Sequence, residues 1–250
     1  MIVTVYTLFP ELIDGYRSEA LLGRAIRSGL LDLRTRDLRR FAGNRTGRVD
    51  DAPYGGGAGM VVRVDVAAAA LAEAAQDDPP PDETVLLSPA GRRLDQALVE
   101  ELATRRHLVL LSGRYEGFDA RVERHVDREI SIGDFVLMGG ELPALVLIEA
   151  IARLLPGALG DADSHRHDSF TTGLLDWPEY TRPATFDGDE VPEVLTSGHH
   201  GRVAAWRRRE ALRRTWRRRP DLLGAANLSE DDRSFLAALE SGEAPEPGDA

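Results

Sequence analysis

The chain has 250 residues, 42% hydrophobic and 29% charged, a composition with room for one large domain or a core domain plus a smaller one. It holds no cysteine and no lysine. This excludes disulfides, thiolate nucleophiles, Cys-based metal sites, a Schiff-base lysine and a GxxxxGK[ST] phosphate loop. Averaged over the chain, a net charge of −11 and a pI near 5.1 argue against a nucleic-acid partner.

Residues Ile2–Leu8 are short and β-branched and read as a first strand, ending at Phe9-Pro10. Glu19–Ser28 has helical apolar spacing and stops at Gly29, a C-cap signal. Leu31–Asp37 reads as a second strand, and the Gly-rich stretch Asp50–Met60 as a loop. Asp65 is expected to cap an Ala-rich helix running to about Gln76, and Asp77–Asp82 to form an exposed connection. The pattern then alternates: strand Thr84–Leu87, helix Asp95–Arg105, strand Leu108–Ser112, helix Asp119–Val126, strand Glu129–Ile132. Such alternation predicts an α/β fold with a parallel sheet covered on both faces.

Helix Glu141–Leu155 is apolar nearly all round, so it belongs either in the core or in a subunit interface. Composition shifts at Pro156, and Asp161–Ser169 is polar without periodicity. Residues 1–160 are therefore expected to form one domain, 161–172 a flexible linker, 173–240 a small, mainly helical domain, and 241–250 a disordered tail. Gly173–Gly188 reads as loop, Gly201–Arg219 as an Arg-rich helix, and Glu230–Leu239 as a helix capped by Ser229 with Asp232 three residues on. No apolar run reaches the ~18–20 residues of a membrane span. The N-terminus lacks a charged region and a small-residue cleavage site, so a cytoplasmic protein is expected.

Three of the predicted strands end in runs of small residues and glycine: Leu86–Gly91, Leu110–Gly117 and Ile130–Pro143. In an open parallel sheet ligands bind outside the carboxyl ends of the strands, where glycine lets backbone groups approach closely. None of the runs is GxGxxG, so a dinucleotide fingerprint is absent. Farther on, Arg202–Arg219 carries nine Arg against Glu210 alone, a surplus of eight positive charges in 18 residues interleaved with Trp206 and Trp216. These charges repel one another along the helix unless an anion faces them, and phosphate is the natural one.

In order along the chain stand LFPE (Leu8–Glu11), DDAPYGGGAGM (Asp50–Met60), LSPAGRRLDQ (Leu87–Gln96) and SGRYEGFDAR (Ser112–Arg121). SIGDFVLMGGELPAL (Ser131–Leu145), the run Asp168–Pro183, Val191–His200 and Trp206–Leu223 follow. Together they resemble the bacterial tRNA (guanine-37-N1)-methyltransferases of the SPOUT class, over about 220 residues.

The resemblance implies a SPOUT-type sheet with a deep trefoil knot, which a topological prior would reject, and a homodimer with each active site shared between subunits. S-adenosyl-L-methionine (SAM) would lie against Leu87, Ser88 and Pro89 on one wall and Gly113, Tyr115 and Glu116 on another. Ile132, Gly133, Asp134, Phe135, Val136, Leu137, Gly139, Gly140 and Pro143 would close the third. Asp168 matches the family's proposed general base for guanine N1, although taken alone it reads as a solvated linker acid. Arg153 matches the Arg that stabilises charge on O6.

Transfer RNA would be gripped by Arg202, Arg207, Arg208, Arg209, Arg213, Arg214 and Arg217 at the anticodon stem, beside a guanosine at position 36. Mg²⁺ is compatible with Asp50, Asp51 or Glu116, with no ligand set assigned. His165 and His167 are read as linker residues near RNA, and neither they nor His199-His200 have the third ligand a zinc site needs. Two other readings stay open. One is a SPOUT methyltransferase acting on ribosomal RNA or ribose 2′-OH, set apart by the run Asp168–Pro183; the other is a catalytically silent RNA-binding protein, set apart by SAM binding.

Overall fold

Alternation of side chains along short apolar strands builds the first of two units, Met1–Ala162. The computed structural model describes residues 1–43, 47–160 and 168–244. The strands are β1 (Ile2–Thr7), β2 (Asp32–Asp37), β5 (Glu83–Arg93), β6 (His107–Ser112) and β7 (Arg128–Ser131). They form one sheet in the order β2-β1-β6-β5-β7, every pair parallel. Val3, Val5, Val85, Leu87, Leu108 and Leu110 face one apolar cluster, and Tyr6, Leu86, Val109 and Leu111 face the other. A side-chain period of two on strands covered on both faces gives these near-continuous apolar runs.

One face is covered by α1 (Pro10–Tyr16), α2 (Ala20–Arg27), α4 (Gln96–Ala103) and α5 (Glu141–Leu154), which supply Ile13, Leu22, Leu98, Leu102, Leu147 and Ile148. The other is covered mainly by α3 (Val64–Ala74), through Val66, Ala67, Ala70 and Ala74. Two-residue strands β3 (Asp50–Asp51) and β4 (Val61–Val62) pair antiparallel at the ends of the Gly-rich loop.

Several elements depart from the sequence expectations for local reasons. Helix α1 is not expected, because Phe9-Pro10 reads as a strand end; Pro10 in fact occupies the helix's first turn, where its missing N–H costs nothing. Asp65 does not cap α3; Arg63 occupies the cap, and Asp65 sits in the first turn paired with it. Residues Ala120–His125 form a 3-10 helix rather than an α-helix, with Val122 their single buried anchor and Asp119 accepting from the Arg121 amide. Strand β5 does not stop at Leu87. Both Leu87 and Arg92 register with Ile130, so Ser88–Gly91 leave the ladder as a loop and the chain rejoins β7. Gly91 permits this, because a Cβ there would lie 2.4 Å from the Ile130 nitrogen.

The second unit, Asp163–Ala250, centres on α7 (His200–Arg218) and α8 (Glu230–Ser241), with a short hairpin β8 (Thr185–Phe186) and β9 (Asp189–Glu190) inside and just beyond the predicted loop, and a one-turn α6 (Glu193–Thr196). Leu174, Ala211, Leu212, Leu236 and Leu239 form its core. The capping box of Ser229 and Asp232 opens α8 as expected.

Candidate active site

Because β6, β5 and β7 are neighbours, the three loops at their carboxyl ends meet at one sheet edge. They enclose a cleft of about 260 Å³. Of the residues anticipated for the cofactor, all but Asp134 line it: Leu87, Ser88, Pro89, Gly113, Tyr115, Glu116, Ile132, Gly133, Phe135, Val136, Leu137, Gly139, Gly140 and Pro143. Asp134 turns away, its carboxylate 3.7 Å from Arg93 Nη1.

Backbone bonds set the walls. The Gly140 amide donates to the Gly113 carbonyl at 2.8 Å, joining the second loop to the third. Ser131 Oγ donates to the Gly133 carbonyl and accepts from its amide, tightening the turn after β7. Tyr115 adopts a φ of +59°, a left-handed conformation costing a non-glycine residue roughly 1–2 kcal/mol.

The Gly-rich loop is tied to the same wall, with the Glu116 amide donating to the Met60 carbonyl at 3.0 Å and the Val62 amide to the Gly117 carbonyl at 2.9 Å. Exposed apolar side chains surround the opening: Tyr115, Phe135, Leu137, and Val136 at 85% exposure. Apolar walls, free faces and close backbone groups suit a flat heteroaromatic ring carrying a polar tail.

Beneath the cleft lies a group that sequence reading missed. Thr7 Oγ1 donates to Glu141 Oε1 at 2.6 Å, and Arg114 Nε stands 2.9 Å from Glu141 Oε2. The sequence offered no local signal for it, since Glu141 opens a helix that also carries Glu149 and Arg153.

Arg153 lies exposed in the last turn of α5, in the first unit. Asp168 belongs to the second unit and is half-buried, its carbonyl accepting from the Thr171 amide at 3.3 Å. It borders a cavity of about 340 Å³ with Trp177, His200 and Arg207. The Arg207 guanidinium stacks 4.8 Å from the Trp177 ring centre. His199 caps α7, its Nδ1 accepting from the Arg202 amide. His165 and His167 lie outside the described residues.

The Arg-rich helix α7 requires a correction. Its charge is not uncompensated, because carboxylates from elsewhere in the unit answer it. Arg213 is buried and paired with Glu210 at 3.1 Å, which removes it from the phosphate-facing set. Arg208 binds Asp232 at 2.7 Å, Arg214 stands 3.6 Å from Asp176, and Arg219 pairs with Asp221 at 2.6 Å. The Arg208 guanidinium holds the Asp232 carboxyl down at about 2. Among the described residues Arg217 and Arg218 have no carboxylate partner, and Arg209 lies over the Phe235 ring at 5.9 Å.

A family model described as tRNA (Guanine-1)-methyltransferase TrmD matches residues 1–225. The chain is 58% identical over 233 residues to a protein of Deinococcus deserti named tRNA (guanine-N(1)-)-methyltransferase, covering 93% of this chain and 85% of that one. Proteins of the same name from Thermus thermophilus and Symbiobacterium thermophilum are 57% and 49% identical, each match covering 95% of this chain and 98% of the relative.

Proposed function

The chain belongs to the tRNA (Guanine-1)-methyltransferase TrmD family, enzymes that methylate tRNA on guanine N1, and from that premise we propose that it modifies guanosine 37, next to the anticodon and preceded by guanosine 36. The observation that carries the reading is the gathering of three sequence-distant loops into one cleft at the carboxyl ends of β5, β6 and β7. S-adenosyl-L-methionine, when bound, supplies the methyl group from its sulfonium. In that cleft Leu137 and Pro143 would flank the adenine, backbone groups of the second and third loops would read its edge, and Tyr115 and Glu116 would meet the polar end.

Guanine N1 carries a proton at neutral pH and is a poor nucleophile. Asp168 would take that proton as the N1–CH₃ bond forms and the donor's S–CH₃ bond breaks. Arg153 would offer its guanidinium to O6, where negative charge grows. The reading has each site completed by a second copy in a cytoplasmic homodimer of knotted protomers. The exposed apolar residues Leu12 and Tyr16 of α1 and Leu142 and Val146 of α5 support such a partner. Among the described residues no three of His, Cys, Asp and Glu gather to hold a metal.

The test is incubation with S-adenosyl-L-methionine and an unmodified tRNA bearing guanosine at 36 and 37, then nucleoside mass analysis. 1-Methylguanosine at position 37, lost when guanosine 36 is replaced, is the expected product. Methylation at ribose or at another position would overturn the assignment.

A further inference from the structure

Glu141 is 1% exposed. An acid in the first turn of a helix is favoured by the helix dipole and ordinarily needs no partner, because it can remain in water. Here the carboxylate is out of water, and a buried charge is tolerated only when it is paired. Its two oxygens are taken by two different elements: Oε1 by Thr7, the last residue of β1, and Oε2 by Arg114, in the loop after β6. Arg114 Nε and Glu141 Oε2 face each other at 2.9 Å but out of line for a hydrogen bond, so this contact is an ion pair.

Held there, Arg114 spans both walls of the cleft. Its backbone bridges Gly139 in the opposite loop, and its Nη1 lies 3.4 Å from the Met138 carbonyl. The side chain crosses so closely that a Cβ at Gly139 would lie 2.4 Å from Nε. From below, the Phe9 ring packs against the guanidinium at 4.5 Å. Without Glu141 the backbone bridge to Gly139 would remain, but the guanidinium would lose the carboxylate that fixes it at the floor of the cleft.

We infer that Glu141 is a positioning residue for methyl-donor binding: it clamps Arg114 across the loops 113–117 and 132–140 and so sets the width and charge of the cleft. The inference rests on the reading of that cleft as the donor site. Glu141→Gln keeps the shape and the Thr7 contact and removes the charge. Calorimetric titration of the full chain with S-adenosyl-L-methionine is expected to show donor affinity at least tenfold weaker. KM for the donor should rise in step, while kcat at saturating donor and KM for tRNA stay within threefold. Thr7→Val, which releases Oε1 and also the Phe9 amide that donates to Thr7 Oγ1, leaves the Arg114 contact in place and should shift donor affinity in the same direction by a smaller factor. Arg114→Met should match or exceed Glu141→Gln. Folded Glu141→Gln with wild-type donor affinity overturns the inference, as does a parallel loss of kcat, donor binding and tRNA binding. Should Glu141→Gln not fold, Thr7→Val and Arg114→Met decide in the same way, and wild-type donor affinity in both overturns it. A wild-type chain that binds no donor would instead overturn the reading of the cleft, and the inference with it.

Discussion

A carboxylate acts as a base only where the proton is delivered to it, and Asp168 stands half-buried in the second unit with its backbone in a turn. Asp168→Asn keeps size and loses the basic oxygen. Its turnover is expected to fall by 10²–10⁴-fold, the range for a missing general base, with donor affinity unchanged. Single-turnover methylation of tRNA measures it, and a variant keeping more than about a third of wild-type turnover removes Asp168 from that role. Residues of the cleft loops were legible in the sequence because each loop is a contiguous run of small residues after a strand, so local pattern and spatial neighbourhood coincide. Glu141, Thr7 and Arg114 were not. The Thr7–Glu141 bond joins residues 134 apart in sequence, and neither end carries a local signature.

At the scale of elements, α7 shows what a charge count along one helix leaves out. The run of arginines was visible, but apart from Glu210 the acids that answer it come from α8, from the turn after α7 and from Asp176 well before it, where no helical period predicts them. The consequence is a division of labour between arginines that look alike. Replacing Arg217 and Arg218 by Gln is expected to weaken tRNA binding and to lower the slope of log K against log salt by ~0.7–0.9 for each phosphate no longer neutralised. An unaltered slope in filter-binding titrations would show that these two face only water.

Arg208 instead holds α8 to α7 through Asp232, a carboxyl depressed to about 2. A depressed acid contributes stability that is present above its unfolded value near 3.9 and lost as pH falls toward its folded one. The loss is worth roughly 2 kcal/mol. The second unit should therefore weaken between about pH 4 and pH 2, and Asp232→Asn should remove that part of the acid sensitivity, as read by circular dichroism melts. Boundaries failed in the same manner as charges: β5 continues past Pro89 and Gly91 only because β7 recaptures it.

At the scale of the molecule, alternation of strands and helices was enough to predict a parallel sheet, whereas the order β2-β1-β6-β5-β7 depends on crossovers that no local pattern records. Helix α5 left a choice between core and interface, and its faces divide. Ala144, Leu145, Leu147, Ile148, Ile151 and Ala152 are buried within the chain, while Leu142 and Val146 remain 59% and 46% exposed. Tyr16 of α1 lies near enough to the Glu149 carboxylate of α5 for it to push the Tyr16 hydroxyl above its ordinary range, so the exposed Leu12 and Tyr16 adjoin that same face.

Apolar area left in water on two adjacent helices costs about 25 cal/mol per Å² relative to burial, and a two-fold partner presenting the same patch removes it from both copies at once. Sedimentation at micromolar concentration should accordingly give a dimer. Val146→Asp would place a charge at the centre of the patch, where a symmetric interface brings it beside its own copy in the partner. That variant should sediment as a folded monomer and lose methyl transfer, because each site would lack what the other copy supplies, while donor binding, if confined to one protomer, persists. A folded Val146→Asp monomer with full activity would leave the single chain sufficient for the reaction and end the shared-site reading.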